Sequence, residues 1–259
     1  MGILNVTPDS FYEASRNENE SDLLTTAKRM ISDGASILDI GGYSSRPGAK
    51  DIGVKEEIDR VIPAIELLRS EIKDVVISID TFRAEVAEEA LKAGALMVND
   101  ISGGQADDKM FNVVANYSVP YILMHMRGTP QNMQDNTEYD NLIKDINYYF
   151  SIQVRKALDA GIKDIILDPG FGFSKTIDQN FELMQNLEMM HLLEKPLLVG
   201  ISRKSMIYKK LGTSANESLN GTTSLNTHAL SKGVQILRVH DVKEAKECID
   251  LLSAIHCAG

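Results

Sequence analysis

What this chain lacks narrows its possibilities first. No apolar run in its 259 residues approaches the ~20 that a helix needs to cross a bilayer. Segment 1–11 has no basic stretch followed by a long apolar one, so it does not read as a secretory signal. The expectation is a cytoplasmic protein without a membrane partner. Cysteine is scarce: Cys248 and Cys257 lie nine positions apart near the C-terminus, a spacing that matches neither a disulfide framework nor a zinc site. Both read as ordinary thiols. Basic residues are in deficit, with 27 Lys and Arg against 37 Asp and Glu and a formal charge of −10. A groove that tracks phosphates needs a basic excess, so a broad nucleic-acid surface is excluded. Any anion must meet a local cluster, which draws attention to Arg46, Arg203, Lys204, Arg238 and His240. No linker or low-complexity stretch divides the chain, so 1–259 reads as a single domain.

What is present is a repeating pattern. Eight short, almost wholly apolar runs recur at 2–6, 36–40, 75–80, 96–99, 121–124, 165–168, 197–200 and 236–239. Continuous Ile, Val and Leu runs of this length mark strands buried on both faces, as in a parallel sheet covered by helices. The stretches between them read as those helices. Segment 22–34 sets Leu23, Leu24, Ala27, Met30 and Ile31 on one stripe and stops at Gly34; 84–94 does the same, and 138–161, 214–233 and 242–255 complete the series. Eight such units fit an α/β fold closed as a (β/α)8 TIM barrel better than an open doubly wound sheet. The first strand has nothing ahead of it to cover the lower end, which leaves open whether the natural chain begins upstream.

In such barrels chemistry sits where strands end. Seven of the eight runs finish on polar groups: Asn5; Asp39 before GGYSSRPGA; Asp80; Asn99 with Asp100; Asp168 before PGFGFSK; the GISRKS segment; and RVHD with Arg238 and His240. Any one Asp or Asn there could be only a turn-former or helix cap, and Asp100 reads as the turn residue beside Asn99. Thr81 can begin the next helix, so capping does not require Asp80. The glycines can simply permit positive φ in these loops. His125 reads as a packed interior histidine rather than a metal ligand. His191, His228 and His256 fall on helices and receive no role.

The segments MGILNVTPDSF, LDIGGYSSRPGA, ISIDTFRAEVAEEAL, VNDISGG, ILMHMRGTPQNMQ, LDPGFGFSK, GISRKSMI, GTTSLN and RVHDV run in order over essentially the whole chain. Together they resemble the dihydropteroate synthases, transferases of folate biosynthesis and targets of sulfonamides. The resemblance implies a pterin pocket of Asp80, Asn99, Asp168 and Lys204, with Arg238 stacking on the ring. It implies diphosphate binding by Asn5, Arg46, Arg238 and His240, with Mg2+ held through Asn5. It places p-aminobenzoate near Ser45, Pro47, Phe173 and Ser202, under mobile first and second βα loops that include Phe11 and the polar segment 13–21. The catalytic set is Asp80, Arg46, Lys204, Arg238 and His240, and the partners are these small molecules plus a second copy of the chain in a homodimer through the later helices. The donor pattern suits a pterin: one carboxylate accepts from adjacent ring NH and amino groups while Lys204 donates to the carbonyl. Ser45 stands where Thr is common and Ser174 where Gly is common, so altered loop detail or sulfonamide response is expected there. Two other readings remain beside this one. A corrinoid-serving pterin methyltransferase would share Asp80, Asn99 and Asp168 but have no use for SRPGA, SRKS and RVH together. A catalytically silent barrel binding pterin or phosphate would share the pocket alone.

Overall fold

A computed structural model describes residues 1–6, 16–44 and 51–257. Eight parallel strands, β1 (Gly2–Asn5), β2 (Ile37–Gly41), β3 (Val76–Asp80), β4 (Met97–Asp100), β5 (Tyr121–Met124), β6 (Ile165–Asp168), β7 (Leu198–Val199) and β8 (Ile236–Leu237), follow one another around a ring. The ladder is continuous from β1 to β6 and again from β7 to β8. Two single bridges close it: Leu167 with Leu197 joins β6 to β7, and Gly2 with Val239 joins β8 to β1. The amide of Ile3 donates to the Val239 carbonyl at 2.9 Å across the second seam. The architecture is the (β/α)8 barrel that the eight apolar runs predict.

Helices alternate with the strands: α1 (Arg16–Ser32), α2 (Val54–Glu71), α3 (Ala84–Ala93), α4 (Met110–Tyr117), α5 (Leu142–Asp159), α6 (Ile177–Gln185), α7 (Ser205–Leu211), α8 (Leu219–Ser231) and α9 (Val242–Cys257). Three differ from the sequence reading. α1 begins six residues before 22, so part of the segment read as an unpatterned lid is helix; hydrophobic periodicity reports only the buried stripe, and a polar first turn carries none. α8 starts at Leu219 because 213–217 forms a turn in which Ser214 Oγ donates to Glu217 Oε2 at 2.8 Å. The short α7 inserts between β7 and α8 and stops at Gly212, whose φ of +67° an L side chain disfavours.

The core has two compartments. Leu38, Ile40, Ile77, Ile79, Leu123, Leu167 and Leu237 face the helices in one large cluster. On the alternate, inward positions of the strands, Met97, Ile122, Ile166 and Leu198, with Met1, Ile37 and Ile236 against them, form a separate cluster in the lower bore. Above this apolar plug, inward positions turn polar at Asp39, Ser78, Asn99 and Asp168, all buried. That change of character along the bore places the site.

Candidate active site at the upper end of the bore

Strand register sets four termini side by side, Asn5 opposite Gly41, Gly41 opposite Asp80 and Asp80 opposite Asn99. A Cβ on Gly41 would stand 3.5 Å from Asn5 Oδ1 and 3.6 Å from Asp80 Oδ2, so the glycine leaves a gap between the amide and the carboxylate. Two residues down β2, on the same face, Asp39 is fully buried. Its Oδ2 accepts from Arg238 Nε at 2.6 Å and from Asn99 Nδ2 at 3.0 Å, while its buried Oδ1 has no hydrogen-bond partner. Arg238 also donates from Nη2 to Asp80 Oδ2 at 2.6 Å. Burial pushes the Asp80 carboxyl up to about 7 against the pull of Arg238, with Asp39, Glu57 and Asp100 adding to the rise. Burial disfavours charge on Arg238 too, but Asp39 and Asp80 outweigh it and hold the guanidinium above its ordinary value.

The opposite wall is basic. Asp168 at the end of β6 accepts from the Gly170 amide at 2.8 Å, and burial raises its pKa while Lys204 opposes. Lys204 donates to the Phe171 carbonyl and lies 4.5 Å from the centroid of the Phe173 ring. Burial brings it down to about 8, with Asp168 resisting. The turn that carries these groups approaches β5 closely, because a Cβ on Gly170 would meet the His125 carbonyl at 2.1 Å. Behind it, Lys175 is buried with its Nζ 3.0 Å from His125 Nδ1, Gly170 O and Phe173 O.

Asp80, Asn99, Asp168, Lys204 and Arg238 thus share one mouth, with Asn5 at its edge. His240 is exposed at the rim, and its backbone N donates to Ser202 Oγ at 3.2 Å while Nδ1 lies 3.1 Å from the same hydroxyl. Phe173 flanks Lys204. Ser45, Arg46, Pro47 and Phe11 lie outside the described residues. Arg203 stands apart from the cluster and fastens the loop after β7 to Asp241 through two bonds of 2.8 Å. Asp100 is a turn residue as read, accepting from the Ser102 amide and hydroxyl, the Gly104 amide and the Tyr121 hydroxyl. Thr81 does not open α3: its hydroxyl donates to buried Glu57 at 2.7 Å, and Asp107 caps the Ala84 amide from the neighbouring loop at 2.8 Å. His125 is interior, edge-on to Tyr149 at 4.8 Å, and burial holds its pKa well below the ordinary value.

Two residues escaped the sequence reading. Asp39 carries a signal, a charge at an inward position of an apolar strand, but reads in sequence only as a strand end. Lys175 had none, since a lysine closing a glycine-rich loop ordinarily faces water. A cavity of about 880 Å3 opens beside the mouth, lined by Tyr43, Phe82, Arg83, Arg127 and Tyr149 among others, and shares no residue with the polar cluster. Its arginines are already paired, Arg83 with Glu57 and Asp51 and Arg127 with Asp145.

Residues 1–240 match the family described as pterin binding enzyme. The dihydropteroate synthase of Synechocystis sp. is 46% identical over 258 residues, covering 98% of this chain and 89% of that one. The crystal structure of the Yersinia pestis dihydropteroate synthase in a sulfonamide drug complex superposes with a TM-score of 0.92 at 42% identity, covering 99% of this chain and 94% of that one. The dihydropteroate synthase of Clostridium difficile, solved in the presence of pteroic acid, gives 0.92 at 41% identity, covering 98% and 95%. A bore whose polar layer joins strands 2, 3, 4, 6 and 8, and relatives of this likeness over nearly the full length, establish that the chain belongs to the dihydropteroate synthases.

Proposed function

We propose that this chain joins a hydroxymethyl-dihydropterin diphosphate to p-aminobenzoate, releasing dihydropteroate and diphosphate. The observation that carries this reading is the convergence of Asp80, Asn99 and Asp168 with Lys204 and Arg238 on one mouth, tied by bonds of 2.6 Å from Arg238 to Asp39 and Asp80. A flat heterocycle with adjacent donors and a carbonyl would meet the carboxylate of Asp168, the amide of Asn99 and the ammonium of Lys204. Arg238 uses Nε and Nη2 on the carboxylates, and Nη1 makes no bond to a described residue, which suits an anion arriving from the rim. His240 and Arg46 complete the anion's surroundings in this reading, and Asn5 its edge.

The bond between the pterin methylene carbon and the diphosphate oxygen breaks first, and its electron pair departs with the diphosphate. The cation left on the pterin is stabilised by resonance and by the Asp80 carboxylate. The arylamine nitrogen then forms the new bond and gives up its proton to the departed diphosphate or solvent. A weakly basic arylamine suits capture of a cation better than direct displacement. Phe173, Ser202, Ser45 and Pro47 form the aminobenzoate side.

Among the described residues no three His, Cys, Asp or Glu side chains form a metal cage. The gap that Gly41 leaves beside Asn5 Oδ1 fits a hard cation that takes most of its oxygens from substrate and water, and Mg2+ bound there would neutralise charge on the leaving diphosphate. A homodimer through the later helices belongs to the reading, supported by the exposed Leu211, Leu251 and Ile255. Cytoplasmic residence does as well, in keeping with Cys248 and Cys257 as free thiols.

Incubating the purified chain with the pterin diphosphate, p-aminobenzoate and Mg2+ should yield dihydropteroate and diphosphate together. Asp80→Asn should lower turnover far more than pterin affinity; a loss confined to affinity removes the electrostatic role. Pterin binding without product would favour the silent barrel, and methyl transfer the corrinoid-serving enzyme.

A further inference from the structure

We propose that Lys175 is a positioning residue for Phe173, and through it for p-aminobenzoate; the inference rests on the reaction proposed above. Lys175 is 3% exposed, and its ammonium spends its donors inside the protein. It has three N–H donors and three acceptors, His125 Nδ1, Gly170 O and Phe173 O, each at 3.0 Å. None is left for a ligand. Burying a charge costs several kcal/mol unless every donor is used, and here two donors hold one turn while the third reaches His125.

That turn is 170–174. Gly170 O also accepts from the Phe173 amide at 3.1 Å, so Lys175 grips both ends of the same hydrogen-bonded loop. Asn180 Oδ1 accepts from the Gly172 amide at 2.6 Å on the far side. His125, the third acceptor, is itself fixed: its amide donates to Asp168 O at 2.9 Å and its ring lies edge-on to Tyr149. Lys175 therefore ties the backbone of Phe173 to the end of β5, and the direction of the Phe173 ring beside Lys204 follows from that tie.

Lys175→Met keeps the length of the side chain and removes all three bonds. It should raise the KM for p-aminobenzoate about tenfold while leaving the KM for the pterin diphosphate within about twofold. In a Phe173→Ala background the same substitution should add nothing, because it acts through the ring already removed. Additive effects, equal rises in both KM values, or an unchanged aminobenzoate KM in a variant with native circular dichroism would each overturn the assignment. Should Lys175→Met not fold, His125→Leu tests the same tie by removing one acceptor; it should raise the aminobenzoate KM about threefold, and His125→Asn, whose amide oxygen lies near the Nδ1 position, should restore it. No effect of His125→Leu overturns the proposal as well. If the wild-type chain makes no dihydropteroate, the reaction is misassigned. If it does, and Phe173→Ala raises the aminobenzoate KM while Lys175→Met does not, only the role of Lys175 falls.

Discussion

The two walls of the barrel mouth are built from the same number of charges with the signs exchanged. On the β2–β3–β8 side two carboxylates, Asp39 and Asp80, share one cation, Arg238. On the β5–β6–β7 side two ammoniums, Lys204 and Lys175, surround one carboxylate, Asp168. In each half a group left in excess is driven toward neutrality: Asp80 rises to about 7, and Lys175 falls to about 7 under burial, with Asp168 opposing. The difference lies in the hydrogen bonds. The acidic half depends on a single guanidinium and the Asn99 side-chain amide, whereas the basic half distributes its bonds over backbone carbonyls and amides.

Removing the cation from each half tests this difference most strongly. Arg238→Met leaves Asp80 without its hydrogen-bond partner and Asp39 with only the Asn99 amide in a buried site, and should cost about 3–5 kcal/mol in denaturant unfolding. Arg238 opposes the rise of the Asp80 pKa, so in this variant the carboxyl should take up its proton at a higher pH than in the wild type, and the loss should shrink as the pH falls toward about 7. Lys204→Met removes a group whose charge the folded state already disfavours, and Asp168 keeps the Gly170 amide. Its stability should stay within about 1 kcal/mol of the wild type, although turnover should collapse. Equal losses in the two variants would mean that the halves are not built differently.

A smaller effect appears in how stability depends on pH. Asp80 has its folded pKa raised from 3.8 to about 7, so the folded chain holds its proton longer than the unfolded chain, and the contribution of this group falls as pH rises across that window. Lys175 has its folded pKa lowered from 10.5 to about 7, so the unfolded chain holds more protons there, and its contribution grows from about pH 7 upward. Stability profiles of Asp80→Asn and Lys175→Met, each subtracted from wild type, should therefore slope in opposite directions. Asp80 is faced by Arg238, Asp39, Glu57 and Asp100, and Lys175 by Asp168, Lys204 and Arg127, so neither slope reports an isolated group. Two slopes of one sign would refute the mirrored arrangement.

The acidic half was the more legible in sequence. Asp80, Asn99 and Arg238 end buried strands, where period-two alternation decides which side chains enter the bore, and that rule works without coordinates. The same rule reaches Asp39, which reads in sequence as a strand end and lies in the structure two residues before the end of β2, a layer deeper in the bore. The basic half is held by a turn, and turn contacts depend on φ values and on what another strand presents, neither of which a periodic pattern encodes. Lys175 was hidden for this reason. The same holds for Arg203, which the sequence offers as one member of a local anion cluster and which in the structure pairs with Asp241. The short α7 carries too few residues to show a stripe, and α1 extends into polar residues where no stripe exists.

Ser174 carries the comparison to its smallest scale. It holds φ at +51°, a conformation that costs a non-glycine residue about 1–2 kcal/mol. Its hydroxyl offsets that strain by accepting from the Arg127 amide and donating to the Arg127 carbonyl, both at 2.8 Å, which bolts the turn to the loop after β5. Ser174→Gly gives up the two bonds but also the strain, and should change stability by less than about 1 kcal/mol. Ser174→Ala gives up the bonds and keeps the strain, so it should cost about 2 kcal/mol. The ordering of the two variants in a thermal melt is the decisive reading. If alanine and glycine melt together, the hydroxyl is not what secures this wall, and the turn is held by its other bonds, from Lys175, Asn180 and the Tyr139 hydroxyl on the Ser174 carbonyl.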